Sequence, residues 1–154
     1  VIVLTLPYPP SANRYWATRV VSIKGRPMPL VYVTADAKDF KVAVAKACSA
    51  AGVVQPLLGR VAIHVQLYPH RPLDHAKRMR QLGPAWDDGV QCLDLDNANK
   101  VLLDSLKGVA IEDDKWVRLL SSERMEPDGE ARVVVRVNRL TVETRQADLL
   151  GAAA

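Results

Sequence analysis

The sequence predicts an α+β domain, a small mixed β-sheet with two main helices packed on it. Three observations carry that expectation. Residues 60–68, RVAIHVQLY, alternate Val61, Ile63, Val65 and Leu67 with Arg60, Ala62, His64 and Gln66, the period of a half-buried strand. Residues 34–52 and 96–107 instead repeat apolar side chains at helical spacing, and a glycine follows or closes each run. At 154 residues, 49% of them hydrophobic, the chain has enough material for one core.

The elements follow in order. Residues 1–6, VIVLTL, are aliphatic and largely β-branched, and the prolines of PYPP stop that strand and begin a stiff loop. Thr34 is placed to N-cap a helix that turns Phe40, Val44, Ala47 and Ala51 inward and stops at Gly52. After the strand at 60–68, residues 69–92 lose all periodicity and collect Pro69, Pro72, Gly83, Pro84 and Gly89, which reads as an inserted loop. The second helix, 96–107, faces Ala98, Leu102 and Leu106 inward, with Val109 following and Gly108 as its stop. Two strands close the domain, VRLLSSERM and EARVVVRVNRL, and the Asp128–Gly129 pair between them suits a hairpin turn. Residues 1–140 thus form a single domain and 141–154 a frayed tail.

Composition excludes several classes. No apolar run reaches the ~18 residues of a membrane span, and Lys46 interrupts VAVAKACSAAGVV. The start VIVLTLPYPP has neither the charged region nor the cleavage site of a signal peptide, so a cytoplasmic protein is expected. Cys48 and Cys92 lack C-x-x-C partners, and His64, His70 and His75 lack zinc-ligand spacing. A net charge of +4 is compatible with a polyanionic partner without requiring one.

The chemistry concentrates in LDLDNANKVLLDSLKG, residues 93–108. Asp94 and Asp96 are two apart, which at a strand-to-helix junction lets both face one point. Asp96 would begin the helix, and N-capping alone would account for it. Lys100 stands four residues from both Asp96 and Asp104, so the three could form a surface charge ladder. The chemical alternative gives Asp94 and Asp96 to a hard cation and Lys100 to the negative charge of a phosphate. Glu112, Asp113 and Asp114 follow the helix, and a return loop could bring one of these carboxylates back as a third ligand. A solvated acidic turn is the competing account.

Three ordered segments, LPYPPSANRYW, DLDNANKVLLDSL and EDDKWV, resemble the RusA-type Holliday-junction resolvases from residue 4 to about 140. The resemblance implies metal-binding aspartates at Asp94, Asp96 and Asp114, with Asp113 as the second choice, and a functional lysine at Lys100. It further implies a homodimer, dependence on Mg²⁺ with Mn²⁺ able to substitute, and symmetrical cutting of four-way DNA junctions in a bacterial or phage-infected cell. Oxygen ligands suit such ions, and a C2 dimer offers one site to each strand cut.

Two features set this chain apart. VQCLDLD carries Cys92 and Leu93 where members of that family often have arginines, and a longer loop precedes it. Within that loop Arg71, Lys77, Arg78 and Arg80 face a single acid, Asp74, across residues 69–83, a phosphate-contacting segment or a solvated insertion. Near the N-terminus, PPSANRYW reads either as a rigid turn with buried aromatics or, the favoured reading, as a DNA-facing loop with Asn13 and Arg14 on the backbone and Tyr15 or Trp16 stacked on opened bases; Asn97 is a further contact. Arg19, Lys24 and Arg26 extend the positive surface. Asp87 and Asp88 are read as loop acids. Two alternatives stay open: a branched-DNA-binding protein with lost or incidental cleavage, and a nuclease of broader branched-DNA specificity.

Overall fold

A computed structural model describes residues 1–142. In chain order the elements are β1 (Ile2–Pro7), α1 (Ala12–Tyr15), β2 (Trp16–Ile23), β3 (Arg26–Val33), α2 (Ala35–Ala50), β4 (Val61–Tyr68), α3 (His75–Leu82), α4 (Leu95–Leu106), β5 (Val117–Arg124) and β6 (Arg132–Arg139). Four strands form one sheet in the order β1-β6-β4-β5, and β2 and β3 form a separate two-stranded ribbon. The expected α+β class is what the chain adopts.

The period-two strands explain the core. Val61, Ile63, Val65 and Leu67 of β4 are buried, as are Val133, Val135 and Val137 of β6 and Leu4 and Leu6 of β1. That face meets α2 through Ala37, Phe40, Val44 and Cys48, and α4 through Ala98, Val101, Leu102 and Leu106. Thr34 caps α2 as expected, its hydroxyl oxygen accepting from the Ala37 N–H at 3.3 Å. Cys48, one residue on from Ala47, takes the inward place, and Ala51 is exposed. Gly108, at φ +75°, ends α4 in a conformation only glycine adopts without strain.

Three expectations need correction. The closing strands are not a hairpin: β4 lies between them, parallel to β5 and antiparallel to β6. Asp128–Gly129 cannot make the expected turn because Gly129 lacks the left-handed backbone that such a turn requires. Burial explains the order, since β6 puts three valines in the core while β5 exposes Leu119 and Leu120 and takes an edge.

Residues 69–92 are not structureless. They hold α3 and a 3-10 turn over Gly83–Ala85. Buried Trp86 anchors them, donating from Nε1 to Glu126 Oε1 at 2.7 Å. Arg124 donates to the carbonyls of Asp87 and Val90, both at 2.8 Å.

The loop expected after β1 contains α1 and then the β2–β3 ribbon. The ribbon turns at Lys24 (φ +51°) and Gly25 (φ +75°), the two left-handed residues of a type I′ turn. The expected tail falls almost wholly outside the described residues.

Candidate active site

The start of α4 is built from three directions. Asp94 takes the N-cap position, its carbonyl accepting the first helical bond from Ala98 at 3.0 Å, and Asp96 lies in the first turn rather than at the cap. Just upstream, the Leu93 N–H donates to the Tyr8 hydroxyl at 2.7 Å, and that hydroxyl points at Cys92 Sγ at 3.7 Å. Burial pushes the Tyr8 phenol up to about 12. On the third side, the Ala12 N–H donates to Asn97 Oδ1 at 3.3 Å and fastens α1 to the same helical turn.

Asp94 spends nothing on capping, for its side chain makes no cap bond. Asp94, Asp96 and Lys100 are all exposed, and among the described residues none makes a side-chain hydrogen bond or ion pair. The charge ladder does not form. Asp104 instead accepts from the Tyr15 hydroxyl and pairs with Lys41 at 3.1 Å.

Tyr15 is fully buried, with its hydroxyl also 3.3 Å from Ser105 Oγ. Burial first, then the Asp104 carboxylate, holds its phenol above the ordinary range. A ring so enclosed cannot stack on a base, which corrects the DNA-stacking expectation for Tyr15 in favour of the buried-aromatic reading. Half-buried Trp16 meets it edge-on, the centroids 4.4 Å apart.

The acids downstream do not converge with Asp94 and Asp96. Lys107, the C-cap of α4, pairs with Asp113 at 3.3 Å and with Asp114 at 3.7 Å. Asp113 also accepts from the Lys115 N–H at 3.0 Å, and that bond, with Asp114 and Lys107 beside it, lowers its carboxyl to about 2. Lys107 is eleven residues beyond Asp96, roughly 16 Å along a helix axis. From there β5 runs back beside α4, where Asn99 Nδ2 donates to Ser122 Oγ at 3.1 Å. The two acidic pairs thus occupy opposite ends of one helix, and among the described residues no three of His, Cys, Asp or Glu group as metal ligands.

The cations divide similarly. Asn13 and Arg14 are exposed on α1, and Arg71, Lys77 and Arg80 are exposed on or before α3. Arg78 is engaged, its Nε 2.9 Å from Asp74. Asn97 has its carbonyl oxygen committed to Ala12 and is half-buried. His64 stands on the uncovered sheet face between Ser121 (2.7 Å) and Glu123 (3.1 Å).

Two grooves flank the segment leading into Asp94. One, of about 670 Å³, runs past Tyr8, Arg14 and Gln91, and the other, of about 570 Å³, past Tyr8, His70, Arg78 and Cys92. Neither is lined by Asp94 or Asp96. These carboxylates stand on open surface, unlike the enclosed pockets that hold small molecules. Sequence reasoning missed Tyr8, Trp86 and Arg124 as the side chains that set this surface. An aromatic residue in an otherwise polar, proline-rich loop was the available signal for Trp86.

Fold and site together define an α+β protein with an acid-bearing helix start on its open surface. No helix among the described residues is long and apolar enough to cross a membrane. The family model described as Endodeoxyribonuclease RusA matches residues 7–138, whereas a search of curated proteins returned no match. The chain belongs to the RusA endodeoxyribonuclease family, and membership implies junction-resolvase nuclease activity on DNA.

Proposed function

We propose that the chain is a divalent-metal-dependent endonuclease that resolves four-way DNA junctions as a homodimer, by paired symmetrical cuts in the cytoplasm of a bacterial or phage-infected cell. The observation that carries this reading is the pair Asp94 and Asp96 with Lys100 one turn on, all without side-chain partners among the described residues, in a chain of this family. Two exposed carboxylates are an all-oxygen donor set, which fits Mg²⁺, or Mn²⁺ in its place, better than a softer metal. Such an ion, when bound, supplies Lewis acidity and an activated water for phosphodiester hydrolysis. Lys100 offsets negative charge gathering on the phosphate. Asn13, Arg14, Arg71, Lys77 and Arg80 hold the backbone, and Asn97 acts by fixing α1.

Asp114, with Asp113 as second choice, enters this scheme from a second copy. One chain keeps its two acidic pairs at opposite ends of α4. A C2 pair joins the Asp94 end of each chain to the Asp114 end of the other and yields two equivalent sites.

A second reading, a branched-DNA-binding protein without cleavage, is favoured by the lack of a three-ligand group among the described residues. The test is a synthetic four-way junction incubated with and without Mg²⁺, scored for paired symmetrical nicks. Asp96→Asn is expected to abolish cutting with junction binding intact or stronger. Random nicking of linear duplex would refute the resolvase reading. Binding that survives EDTA, with no nick at any Mg²⁺ concentration, would establish the second. Equal cutting of three-way and four-way substrates would widen the substrate to branched DNA generally.

A further inference from the structure

The β2–β3 ribbon has no task in the scheme above. Every residue from 22 to 32 is exposed, including Ile23, Met28, Leu30 and Val31. A two-stranded ribbon alone is marginally stable in water, so one that carries apolar side chains into solvent is shaped for a partner. At ~3.4 Å per residue its eight-residue strands reach about 27 Å.

Its chemistry selects that partner. From residue 11 to residue 34 the chain holds Arg14, Arg19, Lys24 and Arg26 and no acid, so the complementary surface is anionic. Strand addition by a protein is blocked along β3. The pair flanking a two-residue turn, Ile23↔Arg26, is hydrogen-bonded, so the pairs Ser22↔Pro27 and Val20↔Pro29 are the non-bonded ones whose N–H groups would point outward. Proline at 27 and 29 leaves those outward positions without donors.

The ribbon is fastened beside the candidate active site. The Thr34 N–H donates to the Tyr15 carbonyl at 3.0 Å, and its hydroxyl bonds the carbonyls of Arg14 and Tyr15. Ala12, four residues before β2, is held by Asn97 in the first turn of α4. Ile23 and Met28 share one face of the ribbon tip with Arg19 and Arg26.

We propose that the β2–β3 ribbon is a wedge that enters the branch point, Ile23 and Met28 against unstacked bases and Arg19, Lys24 and Arg26 on the flanking phosphates. The inference rests on branched DNA being the substrate. Apolar wedges of this kind, flanked by cations, pry apart base steps, and unstacking costs least where the duplex is already interrupted.

The test places 2-aminopurine at the branch point of a synthetic four-way junction and follows its fluorescence, affinity and salt dependence in EDTA, with sedimentation of each protein. Wild type is expected to raise the fluorescence. Ile23→Ser/Met28→Ser is expected to lose that rise and about tenfold of the preference for junction over duplex, the worth of about one stacked base. Lys24→Asn/Arg26→Gln is expected to lower the slope of log K against log salt by about 0.9 per cation removed. Wild-type binding with no fluorescence rise, from a protein that cuts the same junction once Mg²⁺ is added, sinks the wedge and leaves the nuclease standing. Variants that sediment at half the wild-type mass make the ribbon a contact between copies instead. A wild-type chain that binds no junction ends both readings.

Discussion

Tyr15→Phe removes one oxygen atom and separates two roles for this ring. The hydroxyl donates to Asp104, and Ser105 Oγ at 3.3 Å already donates its own proton to the Val101 carbonyl at 2.7 Å. The substitution therefore costs one hydrogen bond to a charged acceptor, about 1.5–3 kcal/mol where nothing replaces it. Asp104 keeps Lys41 at 3.1 Å, and its side chain is 34% exposed, so water recovers part of the loss. The lower bound, about 1.5 kcal/mol, is the expected cost. For a chain of this length that lowers Tm by about 3–6 °C. It shifts the urea midpoint by about 0.7 M at a slope near ~2 kcal/mol/M. Urea unfolding followed by tryptophan fluorescence, with four-way-junction affinity measured on the same samples, checks it. A lower midpoint with unchanged affinity is expected. An unchanged midpoint with weakened affinity would put the ring on DNA and refute the assignment to the core.

Arg124→Ala frees the carbonyls of Asp87 and Val90, and hydrogen exchange across 86–92 is expected to rise while that in β4 stays slow. The raised Tyr8 phenol implies alkaline sensitivity. Its contribution to stability is complete below about pH 10, where the unfolded phenol titrates, and is lost as pH rises towards about 12. Phenolate absorbance of wild type against Tyr8→Phe checks it, and a Tyr8 that titrates near 10 in the folded protein overturns it.

Local patterns were readable and pairings were not. Helix α4 with Asp94, Asp96 and Lys100 on its exposed turns follows from spacing within a dozen residues, as does the buried alternation of β4. The β2–β3 ribbon escaped because it is exposed on both faces, so no alternation marks it, and its prolines argue against a strand. The hairpin expected at Asp128–Gly129 failed for the opposite reason, a strong local turn signal overridden by the place β4 takes between β5 and β6. Residues 69–92 read as loop because their order depends on Trp86 and Arg124 meeting partners 34–40 positions away. Asp114 is the same kind of case. Its distance from Asp94 is set by the direction in which the chain returns along α4, which no spacing encodes.

That return direction leads to a test of how two copies share a site. On the proposed reading each site draws Asp94 and Asp96 from one chain and Asp114 from the other, so Asp94→Asn and Asp114→Asn are each inactive alone. Mixing them after unfolding and joint refolding gives heterodimers in which one site carries both substitutions and the other carries none. One intact site restores nicking of a single strand in up to half of the dimers formed, and it restores no paired cut. Were all the acids of a site to come from one chain, every site in the mixture would keep one substitution and no nick would return. A mixture that stays silent, although a tagged-chain pull-down shows that heterodimers formed, therefore eliminates the shared site. It would then require α4 and the 113–116 turn to rearrange within a single copy.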